Sequence, residues 1–465
     1  MKVSLCIAVC TLLATPVWAA DAPQELTRNR PAWQQEYWSE VDREDWTAAV
    51  KAAESLVATA RLQADEKPVQ LVQALSMLGS ARLQSRDFTG AEAAFKEALE
   101  LAESREGNAS PHTLDPLKGM GFTLAADDRH AQAVPYLDRA LLISHRTNGL
   151  FHAGQQSILK QLANSLTHSG EAMEAERHVN YMLQVGERTH GENNPRIVPL
   201  MCSVGDWHAE VGNFDNARRQ YRDAIRLVEK QLGRSDVALV LPLRRLAFSF
   251  VQELHFEANG FMSPHEAADP ERANQWKAEM YRLNNPRYLQ IEGQRALLRA
   301  VSLLKDNPEA PAPLYMETLV DAGDWYQVKL DPNKALVFYR EAAKVYASIA
   351  AEQDRPSANP FALPVRLYYP VPSAIVRSHR LTPQESHEVY VQMQFGVTAE
   401  GEVENPKLID TNAHDRHASE VINAMKGARF RPKFADGEPV GTASMDFREV
   451  FRARKKMERT EEEPS

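Results

Sequence analysis

Apolar positions between residues 31 and 350 follow helical spacing, and a second, longer period lies over it. Alanine stands at 49, 91, 133, 175 and 217, an interval of 42 residues (91 − 49), in the middle of successive apolar-periodic segments. Ahead of four of these alanines lie Leu78-Gly79, Met120-Gly121, Leu162-Ala163 and Val204-Gly205. Behind them come Phe95, Leu137, Val179 and Tyr221, then Ala98, Ala140, Met182 and Ala224. Small residues at a fixed register mark places where two helices cross closely, and larger apolar residues on the facing helix fill the space. Short polar stretches separate the two halves: Ser85-Arg86-Asp87, Ala126-Asp127-Asp128, Ser169-Gly170 and Gly212-Asn213. Each unit therefore predicts a helix, a tight turn and an antiparallel helix. A lone hairpin cannot bury its own apolar face, so the units must stack.

The segment SMLGSARLQSRDFTGAEAAFKEALEL resembles a tetratricopeptide repeat, and the long period with Pro-bearing connectors (Ser110-Pro111, Asn194-Pro195) resembles the longer repeats of kinesin light chains. The resemblance implies a right-handed solenoid of helical hairpins over 31–350. Tyr37, Ala49, Ala53 and Leu56 extend it backwards to a first unit beginning near Trp33. Forwards, Leu243, Leu246, Ala247 and Phe250 give the first helix of a sixth unit, after which EANGFMSPHEAADP breaks helical periodicity. The register returns at Ala300 and again through Gly323, Tyr326, Ala335, Tyr339 and Ala342. We expect one repeat interrupted by an insertion at about 253–286 with a short helix around 272–282, or else an additional degenerate repeat.

Residues 351–364 carry Pro356, Pro360 and Pro364 and read as a connector. Beyond it Val389, Val391, Met393 and Phe395 alternate on one face, Glu400-Gly401 turns the chain, and a second strand follows. Val421, Ile422 and Met425 then keep helical spacing, and GTASMDFREVF reads as another strand. Tyr369-Pro370, Gly401 in the hairpin, Ala428-Arg429-Phe430-Arg431-Pro432 and Asp436-Gly437 make residues 365–455 resemble the C-terminal domain of TonB-type energy transducers. In physical terms, Phe430 is expected to pin the helix end to the sheet, Pro432 to stop the helix, and Asp436-Gly437 to turn into the last strand. The fold class predicted for the whole chain is mostly α, a solenoid followed by a small α+β domain. Family members capture an extended peptide of an outer-membrane receptor on a sheet edge.

Composition narrows the function classes. The chain is 43% hydrophobic and 25% charged with a formal charge of −9, a soluble globular balance that argues against a nucleic-acid partner. Lys2, an apolar run from Val3 to Ala14 and Val17-Trp18-Ala19 read as a cleaved secretory signal over 1–19, short of the ~20 residues that span a bilayer. Removing it takes Cys6 and Cys10 and leaves Cys202, whose apolar setting reads as a buried small residue. His414 and His417 lack the Glu of a zinc-protease helix and read as surface histidines, with His379 and His387 nearby; Glu402 and Glu404 read as a solvated strand face. No phosphate loop, nucleophile elbow or Cys-x-x-Cys is present, so neither enzyme activity nor cofactor nor metal is expected. The charged tail, 456–465, reads as a disordered end.

The tetratricopeptide resemblance places the first helix of each hairpin on a concave binding face. By register, Gln84, Lys118, Lys160, Asn164, His168 and Arg244 are the expected partner-contacting residues, with Gln73, Ser80, Phe122 and Asp206 on the same face. The expected function is a non-enzymatic scaffold or adaptor in the periplasm of a Gram-negative bacterium. It would bind protein or peptide partners of the cell envelope, an outer-membrane receptor among them, with no stable membrane anchor once the signal is cleaved. The alternative is an energy-transducer relative acting in outer-membrane transport, which would need the N-terminal segment retained.

Overall fold

A computed structural model of the chain describes residues 34–258, 286–352, 359–378, 381–382 and 384–454. The signal segment, Trp33, the expected helix at 272–282 with most of the insertion, Pro356, His379 and the 456–465 tail lie outside the described residues. The chain forms two compact units divided between Trp207 and His208.

In the first unit, helices pair as the small-residue register requires. These are α1 (Gln35–Asp42) with α2 (Trp46–Arg61), α3 (Pro68–Gln84) with α4 (Phe88–Glu106), α5 (Leu114–Ala126) with α6 (His130–Asn148), and α7 (Gln156–His168) with α8 (Ala172–His190). Helix α9 (Val198–Glu210) runs across the division. Ala49, Ala91, Ala133, Ala175 and Ala217 are all at 0% exposure. The glycines of the first helices sit directly under the large residues of the second. A Cβ added to Gly79 would lie 2.8 Å from the Phe95 ring, and one added to Gly121 would lie 2.5 Å from Leu137. In the α7/α8 hairpin Ala163 replaces the glycine, and the residue sixteen positions on is the smaller Val179.

The turns repeat as strictly as the core. Glu44, Arg86, Asp128, Gly170 and Gly212, again 42 apart, all have positive φ, between 56° and 86°. Each closes a first helix, and the following N–H reaches back five residues: Asp87 to Arg82 (2.9 Å), Arg129 to Leu124 (2.8 Å), Glu171 to Leu166 (2.8 Å). After the second helices, Ser110, His152, Asn194 and Asp236 each accept a hydrogen bond from the N–H two residues on, starting the next hairpin with a 3₁₀ turn.

The second unit continues with α10 (Phe214–Gln231), α11 (Val240–Ala258), α12 (Pro286–Lys305), α13 (Ala312–Val328) and α14 (Pro332–Glu352). Helix α11 runs through 253–258, where the sequence led us to expect the insertion to begin. The bidentate pair of Glu253 with the buried Arg218 (2.9 and 2.9 Å) and the packing of Phe256 on Phe214 extend it. Helix α12 packs on α11 as its hairpin partner, with Ala300 fully buried. Gly323 of α13 lies under Tyr339 of α14, where a Cβ would meet the ring at 2.2 Å.

The C-terminal module contains β1 (Val365–Tyr368), α15 (Ser373–Ser378), β2 (Ser386–Val397), β3 (Val403–Thr411), α16 (Asp415–Lys426), β4 (Arg429–Arg431), β5 (Lys433–Ala435), β6 (Glu438–Val440) and β7 (Thr442–Arg454). An antiparallel sheet runs β3-β2-β7, with β1–β4 and β5–β6 as separate pairs. Val389, Val391, Met393 and Phe395 form its buried face with Val421, Met425, Phe430 and Phe451. Two local expectations need correcting. Helix α16 ends at Lys426, before Gly427, so Pro432 does not stop it but separates β4 from β5. Asp436 (φ 51°) and Gly437 (φ 80°) form a two-residue hairpin turn between β5 and β6 rather than leading into the last strand.

Leu330, between α13 and α14, occupies the same left-handed turn position (φ 62°) and is exposed, so its side chain gives no packing in return for the strain. Leu330→Gly is expected to raise stability by about 0.5–1 kcal/mol in urea unfolding, and Gly170→Val to lower it by about 1–2 kcal/mol. A Leu330→Gly protein less stable than the parent would contradict this turn assignment.

Candidate partner-binding surfaces

On the first helices of the first unit, successive hairpins place equivalent side chains side by side. Lys118 on α5 and Lys160 on α7 hold the same register, and α5 packs against α7. Lys118 is half-buried with its Nζ 5.7 Å from the centre of the Phe122 ring, while Lys160 is exposed. One turn along α7, Asn164 is half-buried, and its Oδ1 lies beneath the surface with no hydrogen-bond partner among the described residues. A buried acceptor without a donor is costly, by about 1–3 kcal/mol. His168 ends the helix: its Nδ1 lies 3.0 Å from the Asn164 carbonyl, and its ring stacks on His130 at 4.4 Å. Gln84 sits half-buried at the end of α3.

Arg244 does not join them. It belongs to the second unit, is 9% exposed, and is committed to two carboxylates of α13: Asp321 at 2.6 Å and Glu317 at 3.1 Å. Its expected role as an open partner contact is corrected accordingly, because the guanidinium is buried and its charge is already met by two carboxylates.

Within the second unit, the C-terminal module is seated on the α13/α14 hairpin. Arg431, 3% exposed, forms a bidentate pair with Asp324 (Nε–Oδ1 2.9 Å, Nη2–Oδ2 2.6 Å) and donates from Nη1 to the Pro360 carbonyl (3.1 Å). Burial works against its charge, but Asp324 outweighs burial and holds the guanidinium above its ordinary range. The Tyr339 hydroxyl donates to the same Asp324 (2.8 Å), and burial, then Asp324, pushes its pKa well above the usual phenol range. Phe361 and Phe434 lie 4.7 Å apart and both meet Tyr339 edge-on or nearly so. Gln327 donates to the Glu400 carbonyl (2.6 Å), and His255 of α11 stacks on Tyr368 of β1 (5.9 Å). The connector expected between the domains is thus packed where it is described, at 359–364.

The motif residues take structural places in the module. Gly401 (φ 80°) has no room for a Cβ, which would sit 2.0 Å from the Phe430 carbonyl oxygen and 2.3 Å from Gln327 Nε2. Phe430 packs on Phe395 (5.7 Å) and Tyr369 on Phe447 (5.9 Å), and Pro370 lies beside Gly427. His414 caps α16 through Nδ1, and His417 packs edge-on against Phe451. Asp324, Gln327 and Arg431 as a joint were missed by the sequence reading. The only local signal was an arginine enclosed by Phe430 and Pro432.

The half-buried His130 is depressed below the ordinary histidine range, first by burial and then by His168, with Asp128 opposing. Since the unfolded chain binds the proton more readily, stability is full above the ordinary histidine value and falls as pH drops through it. Thermal melts between pH 8 and 5 should show this decline. The His130→Gln variant should flatten it, and an unchanged slope would exclude His130 as a contributor.

The tetratricopeptide repeat family profile matches residues 154–230. Among solved structures the chain is similar to BtubC (BKLC) from P. vanneervenii, at 16% identity over 71% of this chain and 97% of that one, with a TM-score of 0.38. It is also similar to the apo form of RapI (12%, 69% and 98%, TM-score 0.38) and to NprR in complex with its cognate peptide NprX (14%, 72% and 81%, TM-score 0.33). At these values the likenesses carry no argument about partners. No curated protein sequence matches the chain. No helix among the described residues is long and apolar enough to cross a membrane. The chain is therefore one of helical hairpins that carries tetratricopeptide repeats at 154–230 and ends in a small antiparallel module.

Proposed function

We propose that this protein is a non-enzymatic interaction scaffold of the Gram-negative periplasm, exported by the 1–19 segment, whose first-unit groove holds an extended acidic segment of an envelope protein. The observation that carries the reading is the set Lys118, Lys160 and Asn164 on adjacent helices: two cations in register and a buried acceptor left for a backbone N–H. A peptide carboxylate between the lysines with its amide on Asn164 would engage both cations and supply the donor that Asn164 Oδ1 lacks.

The resemblance of the C-terminal module to TonB-type transducers adds a second surface, capture of an extended strand. Of the two outer strands, β3 is poorly suited. It carries Pro406, a positive-φ Asn405, Lys407 and two register shifts against β2, all features that blunt an edge. The other, β7, is thirteen residues long and, among the described residues, pairs only with β2. Strand addition belongs on β7.

A peptide library displayed against the full chain should yield ligands rich in Asp, Glu or a free carboxylate. Their affinity should fall by about 10-fold or more, roughly 1.4 kcal/mol, in the Lys118→Ala/Lys160→Ala variant and weaken with salt. Ligands that bind the double variant equally well would overturn the groove assignment.

A further inference from the structure

Three carboxylates, Glu317, Asp321 and Asp324, line one face of α13 at four- and three-residue spacing, and each faces a guanidinium. The first two are held by Arg244 of α11, an arginine of the array itself. The third is held by Arg431, which arrives from the C-terminal module, with Asp321 adding to the field around it. Both guanidinium edges of Arg431 are used, one on the Asp324 carboxylate and one on the Pro360 carbonyl, a planar fit that an ammonium group cannot reproduce. One turn on, the Oε1 of Gln327, a residue only 1% exposed, accepts no hydrogen bond among the described residues, so an acceptor remains beside the pair.

Position within the hairpin gives this joint its meaning. Asp324 follows Gly323 as Ser80 follows Gly79, Asn164 follows Ala163 and Asp206 follows Gly205, so it holds a register that is polar in three other first helices and phenylalanine in α5 and α11 (Phe122, Phe248). The module thus meets the last hairpin as a ligand would, by inserting one side chain at a groove position. A buried ion pair adds little net stability over an apolar contact of the same volume, so its use here favours recognition over strength.

We propose that the α13 stripe is a guanidinium-reading site of the array, filled within the chain by Arg431, and that an arginine-bearing segment of a protein partner displaces the C-terminal module from it. The site lies on a different helix from Lys118 and Lys160; its analogy to a ligand position rests on the groove reading, but the exchange criteria involve neither lysine and fail or hold separately from it. Occupied by Arg431, it holds the module and its β7 edge in one orientation. Occupied by a partner, it releases both.

Hydrogen exchange of the full-length chain tests this. Arg431→Ala should speed exchange at 359–368 and 429–440 by about 10-fold or more. N-acetylarginine amide should reverse the change saturably, N-acetyllysine amide should not, and Asp324→Asn should abolish the reversal. In the unmodified chain, a tri-arginine peptide should accelerate the same segments and a tri-lysine peptide should leave them unchanged. Unchanged exchange in Arg431→Ala, equal rescue by the lysine compound, or no response to tri-arginine would each overturn the proposal. If Arg431→Ala does not fold, Arg431→Lys, which keeps the charge and the stem, carries the same titration with the same criteria.

Discussion

The array depends on one steric constraint: where two helices of a hairpin cross, a small residue of one lies beneath a larger side chain of the other. The small residue stands on the first helix in every described hairpin but α1/α2, where Tyr37 and Ala53 exchange places. At Gly79, Gly121 and Gly323 there is no room for a Cβ, which would fall within 2.8 Å of Phe95, Leu137 or Tyr339. Overpacking such a contact costs about 1–3 kcal/mol, so the residues are fixed in pairs. With the two helices locked at short distance, the first helix can turn only its remaining face outward. Polar side chains spaced by one repeat then fall on neighbouring helices in register, and Lys118, Lys160 and Asn164 follow from that geometry. The candidate binding surface is a by-product of the packing rule.

The same rule explains how the array ends. Tyr339 is the large residue of the last hairpin, and with no further repeat to cover it, Phe361 and Phe434 supply the covering rings. Its hydroxyl cannot be buried alone, and Asp324 accepts from it; that carboxylate in turn requires a cation, which Arg431 provides. A cap of this kind joins module to hairpin through a chain of obligations, each residue satisfying the one before it. Gly401 belongs to this chain too, since only a residue without a Cβ lets the β2–β3 turn approach Gln327 and Phe430.

Much of this was legible because it is local or periodic. The alanine register, the small-against-large pairing and the alternation along β2 need only a few residues of context, and all three reappear as buried positions. The turns at 86, 128, 170 and 212 read as breaks between helices, but the left-handed backbone they share with position 44 went unread, because only two of the five are glycine and the others, Glu44, Arg86 and Asp128, carry no mark of it. Contacts between distant residues left no such trace. Arg244 and Arg431 looked like a groove cation and a motif residue, and what removes each from solvent is a carboxylate 77 or 107 positions away. The extension of α11 beyond 253 depends likewise on Arg218 from the preceding helix. For the candidate groove, the register identified the positions, while the orphaned acceptor of Asn164 could be seen only in three dimensions.

The central claim is that a partner segment lies along the first helices of the first unit. It is tested most directly by placing a photocrosslinking amino acid at position 164 of the full-length chain in living cells, with position 176, on the second helix of the same hairpin, as the control. A discrete crosslinked product at 164 that is absent at 176 is the predicted result. Products at 176 alone, or none at 164 while the protein is folded and exported, would contradict it.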